Sequence, residues 1–172
     1  MRLDVHRRAG LFRDSVFAAH DGIITTYAII AGAKGASLPS FVIVILSLVN
    51  LLADGISMAS GNYLGIESEQ DYEKAEGENL GKKDVPLFHG MITFFAFSFI
   101  GFLPLIPYVI GIEARFMVSS AIVIVSLFTI GASRSKLTKK GWLRSGLEML
   151  FVGGIAAFVA YAVGFLSDKF LF

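Results

Sequence analysis

Five apolar stretches, at about 15–34, 39–64, 87–110, 114–133 and 145–166, divide this chain of 172 residues. Each approaches the roughly 20 residues that cross a hydrocarbon core of about 30 Å. A segment in lipid must satisfy its own backbone N–H and C=O groups, so stretches of this length read as helices. The expectation is an all-α, polytopic membrane protein with five transmembrane helices in one domain, 1–172. Only 17% of the residues are charged and 55% are hydrophobic, whereas a soluble domain carries about 25% charge. With no cysteine in the chain, disulfides and thiolate metal sites are excluded.

The opening MRLDVHRRAGLFRD is too polar for the apolar core of a signal peptide, and no small-residue cleavage site follows, so the first span is read as retained. Pro39 suits the first position of the second helix, where its missing N–H would be unpaired anyway. Pro104 and Pro107 predict a kink or an early end in the third.

Lysine and arginine set the orientation. With the N-terminus in the cytoplasm, the inner segments carry Arg2, Arg7, Arg8, Arg13, Lys74, Lys82, Lys83, Arg134, Lys136, Lys139, Lys140 and Arg144, twelve of the fifteen positive residues. The outer segments carry Lys34, Arg115 and Lys169. This asymmetry puts the N-terminus inside and the C-terminus outside, and it requires an odd number of spans. A net charge of +1 is uninformative in total, and no nucleic-acid partner is expected.

The one sizeable polar segment is a cytoplasmic linker at about 66–85. It holds Glu67, Glu69, Asp71, Glu73, Glu76, Glu78 and Asp84, half of the fourteen acids. Glu69, Glu73 and Glu76 fall on neighbouring helical positions and could collect cations weakly. The plainer reading is solvated surface, diluted by Lys74, Lys82 and Lys83.

Chemistry concentrates where polar groups enter the spans. Asp21 and Asp54 each lie inside an apolar stretch, and a carboxylate near mid-bilayer costs about 2.5–3.5 kcal/mol on insertion scales. Asn50, Asp54 and Met58 are spaced i, i+4, i+8 and make one polar stripe on the second helix. Ser57, Gly61 and Gly65 form an adjacent small-residue face that lets another helix approach closely. Asp21 has Thr25 one turn on, with Gly22 and Gly32 allowing close packing.

Plainer roles exist for each. Asp21 could bond a backbone group or pair with an arginine, Met58 could fill a gap, and Asn50 could be interhelical glue. His20 and His89, near the starts of the first and third spans, read as interfacial or capping residues. Glu148 is one turn from Arg144, and an i, i+4 ion pair accounts for it.

Carboxylate oxygens suit Mn²⁺ and Fe²⁺, and a thioether favours iron over the harder Ca²⁺ and Mg²⁺. A carboxyl in low dielectric resists standing as a bare anion, so it holds either a proton or a metal ion. One site that takes either, and opens alternately to each side, is a metal/proton antiporter. Asp21 and Asp54 are its candidate proton carriers.

DGIITTYAIIAGAKGA (21–36), LVNLLADGISMASGNYLGIESE (48–69) and GWLRSGLEMLFVGGIAAFVAYAVG (141–164) resemble the vacuolar iron transporter family of membrane metal exporters. The likeness runs from about residue 13 to 166 and includes the order and length of the spans. It implies movement of Fe²⁺ or Mn²⁺ out of the cytoplasm by proton counterflow, through a homodimer whose first spans line the path. The membrane would be the cell membrane in a prokaryote and the vacuolar membrane in a eukaryote. The metal is cargo, and no permanently bound cofactor is expected. The family's path aspartate and methionine match Asp21 and Met58. Asp54 belongs to a variant LADG form, and Asn50 holds a position that is acidic in some members.

One departure stands out. Vacuolar-type members carry three amphipathic helices after the second span, with glutamates and methionines that gather iron. About twenty residues cannot hold that module, and the chain resembles the short, nodulin-like members there. Two other classes compete with transport. A non-transporting scaffold or metal sensor fits the missing module. An intramembrane aspartyl protease would use two membrane aspartates as a dyad, but the segment lacks a GxGD pattern and no PAL motif follows.

Overall fold

In the computed structural model, all the described secondary structure is helical. The helices are α1 (Arg2–Gly35), α2 (Ser40–Ala75), α3 (Pro86–Phe102), α4 (Ile106–Val109), α5 (Arg115–Thr138) and α6 (Trp142–Leu171), with a 3₁₀ turn at Leu103–Leu105 joining α3 to α4. The structure describes the backbone of residues 2–77, 84–138 and 141–171, and side chains over 8–77, 84–135 and 141–170. Glu78, Lys82, Lys83, Lys139 and Lys140, and the side chains of Arg2, Arg7 and Lys136, all used in the charge reading, lie outside the described residues. Five helical stretches are long and apolar enough to span a bilayer: Arg8–Gly35, Ser40–Ala75, Pro86–Val109, Arg115–Ser135 and Trp142–Phe170. The protein is a multi-pass integral membrane protein.

α1 is the hub. Three apolar clusters tie it to different neighbours: Ala18 to Leu51 and Phe97, Ile23 to Val123, Leu127 and Met149, and Ile30 to Ile43, Leu105 and Tyr108. Glycines let the backbones nearly touch, as Gly22 and Gly32 led one to expect. A Cβ placed on Gly22 would lie 2.4 Å from the Phe97 carbonyl oxygen of α3, and one on Gly164 of α6 would lie 1.9 Å from the Gly32 carbonyl oxygen.

The prolines break the third span as anticipated. Pro104 and Pro107 bring in the 3₁₀ turn and the short α4, and the Ser119 hydroxyl of α5 donates to the Pro104 carbonyl at 2.7 Å. A carbonyl buried at a helix interruption has thus found a donor on a neighbouring helix, as lipid requires.

Three boundaries differ from the sequence reading. Pro39 is the N-cap, not the first helical residue, with extended ψ 147°. The first apolar helix reaches back to Arg8, seven residues before the expected start. α2 continues through the first part of the expected linker to Ala75, where Gly77 takes φ 77° and stops it in the left-handed conformation glycine adopts freely. At 36 residues α2 is about 54 Å long, well beyond the hydrocarbon core. Its acidic end therefore projects as a helix.

Candidate functional site

Two polar stripes meet where α1 and α2 run antiparallel. On α2, Asn50, Asp54, Met58 and Asn62 succeed one another every four residues; on α1, Asp14 and Asp21 are seven apart and so share a face. Asp21 lies within Coulombic range of Asp54. About 10 Å along the seam, Asp14 lines one cleft with Met58 and Asn62. The register is consistent at both levels: Asp21 lies within Coulombic range of Asp54, and Asp14 shares a cleft with Met58 and Asn62.

Asp21, Asp54, Met58 and Asn50 are all half-buried. Met58 packs against the Ala18–Leu51–Phe97 cluster and also forms part of the cleft wall, so its thioether has both a packing role and an open side. The Asn50 amide nitrogen is buried and has no hydrogen-bond partner among the described residues. An unspent polar group beside a carboxylate is what a partly built polar site looks like, since buried amides are otherwise paired. Thr25 does not assist the Asp21 carboxylate. Its hydroxyl donates to the Asp21 backbone carbonyl one turn back.

The cleft, of about 400 Å³, is lined by Arg13, Asp14, Phe17, Met58, Asn62 and Thr93. Its polar wall is organised by three contacts. Asn62 donates to the Thr93 hydroxyl at 2.7 Å, and Asp14 accepts from Arg13 at 3.0 Å while its other oxygen meets His89 Nδ1 at 2.5 Å. His89 is therefore neither interfacial nor a cap: it is 1% exposed. A charged or strongly polar pair buried this deeply survives only when bonded on several sides.

Sequence reasoning missed Asp14, Asn62 and Thr93. The signal was present for Asn62, which extends the Asn50–Asp54–Met58 stripe by one more turn. Asp14 sat in a stretch read as tail.

Other expected features fall as follows. Arg144 pairs with Glu148 at 3.0 Å on the surface of α6. Glu69 and Glu76 are exposed and Glu73 is half-buried, and Lys74 pairs with Asp71 beside them at 2.5 Å. No group of three or more His, Asp or Glu side chains able to hold a metal occurs among the described residues. Asp21 and Asp54 thus lie within Coulombic range of each other, with Asn50 and Met58 along the α2 stripe, and the linker acids lie on the projecting end of that helix.

The sequence model of the VIT family matches residues 12–83 and 76–165. The chain belongs to the VIT family. Vacuolar iron transporter of Toxoplasma gondii is 28% identical over 218 aligned positions, covering 88% of this chain and 72% of the relative. Vacuolar iron transporter homolog 5 of Oryza sativa subsp. japonica is 28% identical over 165 positions, covering 90% and 79%. Vacuolar iron transporter 1 of Arabidopsis thaliana is 25% identical over 217 positions, covering 92% and 87%. Alignments of 218 and 217 positions exceed the 172 residues of this VIT-family chain, so those relatives carry a long insertion that the rice homolog does not need. The two matched pieces meet at 76–83, within the acidic linker. This VIT-family member is a short form.

Proposed function

We propose that this protein is a metal transporter that carries Fe²⁺ or Mn²⁺ out of the cytoplasm in exchange for protons, along the seam between α1 and α2. The observation that carries the reading is that Asp21 and Asp54, half-buried on two different spans, lie within Coulombic range of each other. Two half-buried carboxylates within Coulombic range repel each other unless a cation or a proton neutralises one of them. Such a pair binds either species, and loading one expels the other. Asn50 and Met58 then extend the site along α2, adding an amide oxygen and a soft sulfur to the two acids. Hard oxygens with one thioether suit Fe²⁺ and Mn²⁺ ahead of Ca²⁺ and Mg²⁺.

The direction of transport follows from orientation. Twelve of the fifteen positive residues fall in the sequence segments that precede α1, follow α2 and join α5 to α6 or lie at their ends, which supports a cytoplasmic placement of those segments. The cleft at Asp14 and Met58 opens there and gives a cation a way in. The relatives' names as vacuolar iron transporters agree with iron as cargo. Family membership favours a transporter over a membrane protease for the same pair of aspartates.

A homodimer completes the site. One chain supplies few ligands, and Asp21 and Asp54 are only half-buried in it. On α2, Cβ atoms at Gly61 or Gly65 would meet nothing within 4 Å, so the Ser57–Gly61–Gly65 face is open for a second copy to pack against. The missing insertion favours one other reading, a sensor that binds metal without moving it.

The test is Fe²⁺ and Mn²⁺ uptake into proteoliposomes with and without a pH gradient, comparing wild type with Asp21→Asn. Gradient-dependent flux should fall at least about tenfold, equivalent to 1.4 kcal/mol, in a variant that still assembles. Normal flux in Asp21→Asn removes the carboxylate pair from the mechanism. Metal binding without flux in the wild type selects the sensor.

A further inference from the structure

The stripe on α2 does not end at Asn50. Ser47, Ile43 and Ser40 continue it toward the start of the helix, and from Ser40 to Asn62 these positions stay within about 120° of the helix circumference. At the rise of an α-helix the stripe runs about 33 Å, close to the thickness of the hydrocarbon core. Each end of it lines a pocket. Met58 and Asn62 stand in the cleft at Asp14. Ser40 and Ile43 stand in another, of about 250 Å³, where α1 ends and α2 and α5 begin, together with Lys34, Tyr108, Glu113 and Arg115.

Between that far pocket and the aspartates the seam is shut. Ile30 of α1 packs with Ile43 of α2, Leu105 and Tyr108. One turn inward from that contact on each helix stand Thr26 and Ser47, both 0% exposed. Neither hydroxyl has a hydrogen-bond partner among the described residues, and the buried hydroxyl of Tyr108 has none either. Elsewhere in these helices the hydroxyls satisfy themselves: Ser15, Thr25, Ser60, Ser120 and Thr129 each donate to a carbonyl one turn back. Thr26 and Ser47 do not, and the Asn50 amide nitrogen, three residues on from Ser47, is equally unspent. Dry and unpaired polar groups count against the shut form, and water relieves them. Neutral hydroxyls and an amide both give and accept hydrogen bonds, which suits water; a divalent cation asks for carboxylates.

We infer that Thr26, Ser47 and Tyr108 form a water gate between the far pocket and Asn50, dry while α1 and α2 are in contact there and filled by water when they part. Opening gives each unpaired hydroxyl a partner and joins the far pocket to the polar stripe. The cleft at Met58 is open while this gate is shut, so the two ends of the stripe are not open together. That is the arrangement a path needs if it is to face one side at a time. The role of the admitted water, which is to connect the Asp21–Asp54 level with the far side for the counterflow of protons, rests on the transport reading. The gate itself rests on the buried hydroxyls and the two pockets.

The test is hydroxyl-radical footprinting of the full-length protein in nanodiscs, with X-rays generating the radicals from water and mass spectrometry reading the oxidised side chains. A buried side chain is oxidised where water visits it. Tyr108 and Ile43 report on the gate, and Phe97 and Leu127, buried in other apolar clusters, are the dry references. After correction for intrinsic reactivity, Tyr108 should be oxidised faster than Phe97 and Ile43 faster than Leu127. Thr26→Val combined with Ser47→Ala removes both hydroxyls with little change of shape and so relieves the shut form. Oxidation of Tyr108 and Ile43 should then fall about tenfold, with no loss in Tm. Thr26→Ser keeps a hydroxyl and should be oxidised like wild type. Wild-type Tyr108 no more reactive than Phe97 overturns the gate. So does a double variant that is oxidised like wild type, or one that is destabilised, since its hydroxyls would then have been structural. No flux is measured, so the two readings fail separately: a wet gate in a protein that moves no metal removes transport alone, and a dry gate in a protein that moves metal removes the gate alone.

Discussion

Gly22→Ala tests whether the α1–α3 contact sets the position of the metal-path acids. The added Cβ would lie 2.4 Å from the Phe97 carbonyl oxygen, 3.1 Å from its carbonyl carbon and 3.2 Å from its Cα. Carbon–oxygen contacts between packed helices settle at about 3.3 Å, so the methyl is about 0.9 Å too close. All three neighbours are backbone atoms and cannot swing aside. The helices must therefore part by close to that distance, at a cost of about 1–3 kcal/mol typical of overpacking. Better helix propensity returns at most about 1 kcal/mol of it. The net cost after the full propensity gain is about 0–2 kcal/mol, and at about 2–4 °C per kcal/mol for a chain of this size the expected loss in Tm is up to about 8 °C. Asp21 is the adjacent residue, and displacing a reacting group by about 1 Å can cost about a hundredfold in rate. The assay pairs thermal unfolding in detergent with Fe²⁺ uptake into proteoliposomes. Gly154→Ala is the control, because its Cβ would meet nothing within 4 Å; it should transport like wild type and melt no lower than wild type. A Gly22→Ala protein that melts and transports like Gly154→Ala would show that the helix contact does not position Asp21.

Met58→Leu should keep the fold, since the swap nearly conserves volume, while reducing discrimination between Fe²⁺ and Ca²⁺ or Mg²⁺ in competition uptake; an unchanged selectivity profile makes Met58 packing alone. Replacing Glu69, Glu73 and Glu76 together by glutamine should lower uptake less than about twofold, because Glu69 and Glu76 are exposed, Glu73 is only half-buried, and charges open to water are screened; complete loss of transport would assign the projecting end of α2 a capture role. Gly61→Leu with Gly65→Leu should convert a dimer to monomer in detergent, read by light scattering, and an intact dimer would move the interface away from this face of α2.

Much of this architecture is legible in the sequence because lipid permits so few solutions. The five spans, the break at Pro104 and Pro107, the surface pair Arg144–Glu148 and the Asn50–Asp54–Met58 stripe all follow from local pattern. What escaped was set by distant partners. His89 looks like a residue at the edge of an apolar stretch until Asp14, 75 positions away, is brought against it. Asp14 looks like part of a polar tail until α1 is seen to be helical well before its apolar core. The projecting end of α2 was read as linker because its acids mark where lipid ends, and a helix needs no lipid to continue.

The placement of charge in the spans makes a stronger case than any one residue. No Asp, Glu, Lys or Arg occurs between 116 and 133 in α5, between 149 and 167 in α6, or between 86 and 112 around α3 and α4. The interior acids are confined to α1 and α2: Asp14, Asp21 and Asp54. α1 can carry them because it packs against four other helices and can turn a face away from lipid. α2 lies at the edge, with Leu48, Val49, Leu52 and Ile56 exposed, yet it keeps Asp54 on its other side, toward α1. A carboxylate left facing lipid costs about 2.5–3.5 kcal/mol, so the two half-buried acids give up several kcal/mol in an isolated chain. On the proposed reading, a second copy packed on the same edge, or a cation held between the acids, would recover part of that energy. On the proposed transport reading, the same residues that destabilise one chain alone would favour both a second copy and a bound cation.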